Sequence, residues 1–262
     1  MPQFPTKDDR IYDTPLGKVP SVTTIIGQLD KSGPMMGWAV KTMAEYLKSL
    51  ADDKGNILIK KTEAEDIFRK AKAYYKELSQ TAKDIGSDVH NAIEVHLKGQ
   101  KVNLDGKPDE VLRGFEAFLK WEKENELKVV ATERKVCSVA GYAGTLDLIG
   151  TLKGELYVID FKTSKAIYEP DYIMQVSAYK HAAEEGMYCD NGEWKDSQQE
   201  IKGLGVLRLD KMTGLPEWKP YTQKDSGRAF AMFMELLKYW WLINEAKEKE
   251  VSDGSIGKQK IK

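Results

Sequence analysis

Residues 127–163 hold three strand-length runs in close succession, and no other part of the chain constrains the fold so tightly. The runs 127–137, 142–151 and 155–163 are rich in β-branched and aromatic residues, with a short glycine-bearing turn between the last two. They read as an antiparallel meander. The last run, E-L-Y-V-I-D-F-K-T over Glu155–Thr163, ends by setting Asp160 and Lys162 two residues apart. Side chains alternate along a strand, so these two share one face and Ile159 and Phe161 take the other. A carboxylate beside an ammonium at a strand end suits metal-dependent phosphodiester hydrolysis. The carboxylate holds Mg²⁺, and the lysine serves the attacking water and offsets charge on phosphate. D-x-K also occurs at Asp52–Lys54 and Asp105–Lys107, but those copies sit beside glycine in polar turns and read as solvated loop charges.

Helical patterns flank the meander. Residues 10–22 read as a hairpin in which Ile11-Tyr12 and Val19 flank the turn Thr14-Pro15-Leu16-Gly17, and Ser21 or Thr23 caps a short helix broken by Gly33-Pro34. A second helix is expected over Met35–Leu50. From Thr62 to Lys98, Ile85, Val89, Ile93 and Leu97 form one apolar stripe, Gly86 marks a kink or join, and Gly99 stops the helix. A helix from Pro108 to about Glu126 buries Val111, Leu112, Phe115, Phe118 and Leu119. Pro170 opens another that reaches Glu185. Asp190–Gln199 reads as a polar loop, Gly203–Asp210 and Trp218–Tyr221 as strands, and Gly227–Lys247 as an apolar helix. The organisation expected is an N-terminal hairpin and helical extension over 1–60, a core over 61–250 and a flexible tail over 251–262.

Composition narrows the class. With 262 residues, 41% hydrophobic and 31% charged, the chain is an ordinary globular one, long enough for a sizeable core. The formal net charge of −1 provides no global basic field, which argues against a simple nucleic-acid coat; it leaves room for a nuclease, whose acidic site and basic groove cancel in the sum. Two cysteines, Cys137 and Cys189, cannot build a four-cysteine zinc or iron–sulfur site and read as free thiols in a reducing compartment. No secretory leader is visible, and no run approaches the ~20 apolar residues of a membrane span. The expected compartment is the cytoplasm of a bacterium or of a phage-infected host cell, with no membrane partner.

Further residues fall around the D-x-K strand. Asp147, in G-Y-A-G-T-L-D-L-I-G, lies on the preceding strand, where its carboxylate comes within metal-bridging reach of Asp160. His90, in S-D-V-H-N-A-I-E, sits at the edge of the helical stripe; taken alone, a packed or exposed histidine is the commoner case. Glu94 lies one turn on and either orients His90 or is a solvated glutamate. Glu133, in T-E-R-K-V, is either a third carboxylate at the site or a salt-bridged strand residue. Gln175 and Tyr179, four apart in D-Y-I-M-Q-V-S-A-Y, share a helix face from which an amide and a phenol reach the lysine or a DNA phosphate. His96 and His181 read as surface residues. Lys60, Lys61, Arg69, Lys70, Lys72 and Lys76 are candidates to hold a nucleic-acid backbone or else form a solvated helix face; Tyr74 and Tyr75 either pack or stack on bases.

Taken in order, His90, Glu133, G-T-L-D ending at Asp147, D-F-K at 160–162 and Q-x-x-x-Y at 175–179 resemble the RecB-like branch of the PD-(D/E)xK nuclease superfamily over residues 85–180. The leading segment V-P-S-V-T-T-I-I, with Trp38 further on, is similar to the start of phage and mitochondrial genome maintenance exonucleases. The resemblance implies an α/β fold with a central mixed β-sheet flanked by helices, a restriction-endonuclease-like core. It implies that Asp147, Asp160, the backbone carbonyl of Phe161 and His90 bind Mg²⁺ or Mn²⁺, that Lys162 serves the water, and that Gln175 and Tyr179 support the lysine and the DNA strand. It also implies N-terminal helices that cover the site and thread a single-stranded end. No proline–aspartate pair is present, as is usual in this branch, and two cysteines exclude the iron–sulfur version. No helicase motif occurs, so any motor is another chain. The expected activity is metal-dependent DNA exonuclease action at single-stranded ends in phage-type recombination, replication or repair, with a helicase, recombinase or single-strand-binding protein as a possible partner. A structure-specific endonuclease and a catalytically silent DNA-binding subunit are the alternatives.

Overall fold

A computed structural model describes residues 10–252, with side chains as far as Asn244. The expected tail lies outside the described residues, except that Val251 and Ser252 end the last helix. Two compact units are present. One is Leu29–Val89; the other comprises the described residues up to Gln28 together with those from His90 onward.

The larger unit is an α/β structure built on a seven-stranded mixed sheet, flanked by helices. In chain order its sheet strands are β3 (Lys128–Ser138), β4 (Tyr142–Leu152), β5 (Glu155–Lys162), β6 (Met187–Asp190), β7 (Glu193–Asp196), β8 (Gly203–Leu209) and β9 (Pro216–Pro220), lying side by side as β7-β6-β3-β4-β5-β8-β9. β3, β4 and β5 form the expected antiparallel meander. β8 then pairs parallel to β5, with Asp160 beside Val206 and Lys162 beside Arg208. A parallel neighbour requires a crossover, and α5 (Asp171–Glu185), capped at its C-terminus by Gly186 in the left-handed region, lies within that connection. A separate hairpin, β1 (Ile11–Thr14) with β2 (Gly17–Pro20), packs Val19 with Ala143 and Cys137. Ser21 Oγ accepts from the Thr24 N–H and so caps α1 (Val22–Ile26). α4 (Asp109–Asn125) buries Val111, Phe115, Phe118 and Trp121, whereas Leu112 and Leu119 are only half-buried. α6 runs over Gln223–Ser252.

In the smaller unit α2 spans Ser32–Lys48, and α3, Ala64–Leu97, crosses the division between the two units. Three readings of the sequence need correction. Gly33 and Pro34 do not lie between helices; they occupy the first turn of α2, where a missing N–H costs nothing because that group has no intrahelical partner. Gly86 is not a join, because it sits inside one continuous helix. Residues 190–199 are no plain loop, since β6 and β7 pair across a two-residue turn, Asn191-Gly192, with φ of 52° and 85°. That geometry favours Asn-Gly because both residues adopt the left-handed region, and the dipeptide was legible in the sequence. No described helix is long and apolar enough to cross a membrane.

Candidate active site

The meander's register sets the site. Leu148 pairs with Ile159 across β4 and β5, so Asp147 and Asp160 fall on neighbouring strands just beyond that pair. Asp147 Oδ2 accepts the N–H of Phe161 at 2.6 Å, which ties the two strands together at the D-F-K motif. The contact shown at Phe161 is through its amide N–H; its ring packs edge-on to Phe118 at 5.6 Å and to His90 at 5.8 Å.

His90, Glu133 and Asp147 each offer one ligand atom, all within 4.8 Å of one another, and His90 Nδ1 lies 3.7 Å from Asp147 Oδ1. Glu133 enters from β3, between the pairs Thr132–Leu148 and Arg134–Leu146, with φ of 47°. Few non-glycine residues adopt that region, and such strain persists where surrounding structure over-determines it. Glu133 is exposed as a residue, but partial desolvation of its carboxyl, and then the charges of Asp147 and Glu94, push it up to about 7. Glu94 itself pairs with Lys98.

Asp160 stands outside this trio. It is 1% exposed, and its Oδ2 ion-pairs with Lys162 Nζ, yet neither carboxylate oxygen has a hydrogen-bond partner of good geometry. Burial raises its pKa, Lys162 pulls against that, and Asp147 adds to the rise. For Lys162, burial works downward, but Asp160 and Asp147 outweigh it and hold the ammonium charged. A buried carboxylate with no hydrogen bond is costly. Oδ2 faces Lys162 and Oδ1 has no hydrogen-bond partner among the described residues; that oxygen, on the strand next to Asp147 of the His90–Glu133–Asp147 donor group, fits a hard divalent cation that takes a few protein ligands and keeps its waters.

Gln175 Nε2 donates to Tyr179 Oη at 3.2 Å. The Tyr179 ring is buried against Gly144 of the G-T-L-D motif, where a Cβ would meet ring carbon Cε1 at 2.5 Å. The glycine is therefore a place for the ring rather than a turn. Burial, and then Asp160, raise the Tyr179 phenol. Neither Gln175 nor Tyr179 makes a hydrogen bond to Lys162 among the described residues; the Tyr172 ring lies 4.9 Å from Lys162 Nζ. Sequence reasoning missed Tyr172, although it lies three residues before Gln175 and seven before Tyr179, on the same helical face.

The other expected residues divide. Arg69 and Lys70 pair with Asp66, Lys60 lies 3.9 Å from Glu63, and Lys76 sits 6.0 Å from the Tyr75 ring centre. Lys72 is exposed with no ion-pair partner among the described residues. Tyr74 packs on Tyr46 and Tyr75 on Trp38, at 5.3 and 6.1 Å between ring centres. The surface reading of His96 and His181 is corrected. His96 Nε2 lies 2.8 Å from Glu122 Oε2 and packs on Phe115 and Phe118, and His181 stacks on Phe230 at 3.6 Å.

The chain matches no protein-family model and no curated protein.

Proposed function

We propose that the protein is a metal-dependent deoxyribonuclease of the PD-(D/E)xK, RecB-like kind, an exonuclease acting at single-stranded DNA ends. One observation carries the reading. A buried Asp160, whose Oδ1 has no hydrogen-bond partner among the described residues, is ion-paired through Oδ2 to a lysine held cationic, on the strand next to Asp147 of the His90–Glu133–Asp147 donor set. An arrangement serving stability alone has little use for a carboxylate that costs so much to bury.

In this reading Asp147 and Asp160 hold Mg²⁺ or Mn²⁺, with His90 and the Phe161 carbonyl as further ligands and Glu133 as a third carboxylate. The bound ion supplies Lewis-acid stabilisation of charge on the phosphate and lowers the pKa of its water. Lys162, charged, orients the attacking water and offsets the growing negative charge. The Tyr172 ring lies against the lysine, and Gln175 orients the Tyr179 phenol by donating to it. Lys72 and Lys76 are proposed contacts to the strand. The proposed setting is phage-type recombination, replication or repair, with a helicase, recombinase or single-strand-binding protein as partner.

The test uses 5′- and 3′-labelled linear oligonucleotides and circular single-stranded DNA, with Mg²⁺ and with EDTA. Mononucleotide or short products from linear DNA, lost in EDTA, are expected. Equal cutting of circles refutes end-dependence, and no cutting of any substrate refutes the nuclease reading.

A further inference from the structure

A cavity of about 390 Å³ opens where β9 meets α6, against the start of α5. Its size falls within the ordinary range of small-molecule sites, about 300–1,000 Å³. Pro170, Ile173 and Met232 give it an apolar wall. One lining cation is already ion-paired to a lining carboxylate, and the second carboxylate is hydrogen-bonded. Lys219 Nζ bridges to Glu169 Oε1 at 2.6 Å. Thr222 Oγ1 donates to Asp225 Oδ2 at 2.6 Å and accepts the Asp225 N–H at 3.1 Å, closing the first turn of α6. Arg228 is different: it is exposed and has no ion-pair or hydrogen-bond partner among the described residues.

The cavity adjoins the candidate active site. Ile173 in its wall follows Tyr172, the ring that lies 4.9 Å from Lys162 Nζ. Burial raises the phenol of Tyr221, another lining residue, and the charges of Glu169 and Asp160 add to the rise.

We propose that this cavity is a nucleotide subsite, in which Arg228 takes a backbone phosphate and the Pro170–Ile173–Met232 wall receives the adjoining sugar and base. A planar guanidinium presents paired donors that match phosphate oxygens, and Arg228 is the lining cation with no ion-pair partner among the described residues, which makes it the phosphate ligand. A flat, largely apolar base fits the proline and aliphatic wall. The inference rests on the nuclease reading for its substrate class, because a strand whose scissile phosphate lies at Lys162 passes the start of α5.

Fluorescence anisotropy of a labelled oligo-dT tests it across a salt series with Mg²⁺, using the Asp160→Asn protein to stop turnover. Adding Arg228→Ala is expected to weaken binding and to lower the slope of log K against log salt by about 0.7, one single-strand phosphate contact. Adding Met232→Ser is expected to weaken binding with the slope unchanged. Lys238→Ala, an exposed cation on the same helix away from the cavity, leaves both unchanged. Equal effects of Arg228→Ala and Lys238→Ala, or no effect of Arg228→Ala, overturn the subsite. Hydrolysis of the same oligonucleotide by protein with Asp160 intact, with and without Arg228→Ala, reports separately. Binding that depends on Arg228 without hydrolysis removes the nuclease and keeps the subsite; hydrolysis indifferent to Arg228 does the reverse.

Discussion

The centre of the sheet and the helix α2 are both rich in apolar residues and use them in opposite ways. In β4 and β5, Leu146, Leu148, Val158 and Ile159 are fully buried, and Asp160 is sealed among them. In α2, Thr42 is the buried residue, while Met35, Met36, Trp38 and Val40 remain more than a third exposed. Dense packing leaves a side chain no alternative conformation, so an unfavourable group such as Asp160 can be held in place for chemistry. A helix with its apolar residues outward rests on local propensity and a few ring contacts, and such segments open at low free energy. Buried geometry and exposed apolar surface are thus divided between the two regions.

The strongest way to break this comparison is at the acids. Asp160→Ala or Lys162→Ala should reduce cleavage by at least on the order of 10²–10³-fold with far-UV circular dichroism unchanged. Loss of the fold instead would make the pair a structural element. Packing comes next. Ile159→Ala should cost about 2–5 kcal/mol in urea unfolding, whereas Val40→Ser in α2 should stay within about 0.5 kcal/mol. Equal costs would erase the contrast. Gly144→Ala sharpens it within the sheet. Its methyl collides with the buried Tyr179 ring, which should cost about 1–3 kcal/mol and lower activity together.

The smallest effect is the pH dependence. The Glu133 carboxyl is raised from 4.5 to about 7 in the folded protein. Between those values the folded state keeps a proton that the unfolded chain has released. Its contribution is therefore complete below about pH 4.5 and is lost as pH rises through about 7. Melting temperature measured in EDTA should fall across that window, and Glu133→Gln should flatten the fall. An unchanged profile in the variant would show that the carboxyl is not held protonated by its neighbours.

Much of this was legible from residues alone, for identifiable reasons. β3, β4 and β5 announced themselves because alternation and β-branched content are local signals. Asp160 and Lys162 share a face because strand periodicity requires it. The β6–β7 hairpin was also legible, in Asn191-Gly192, but the polar residues around it masked the turn. Tyr172 was missed because a tyrosine at a helix start has no signature until Lys162 is placed beside it. His96 and His181 looked like surface residues because their partners, Glu122 and Phe230, lie far along the chain.

Local periodicity and turn chemistry thus settled which segments become strands and helices and which side chains travel together along each. Only the folded chain decided what those side chains meet. It set Glu133 between the strand pairs that flank Asp147, gave Gly144 to the Tyr179 ring, and buried Asp160 against Lys162. The physical reason is that burial and electrostatic coupling depend on distances between residues remote in sequence, which β-sheet register and helix packing fix and local pattern does not encode.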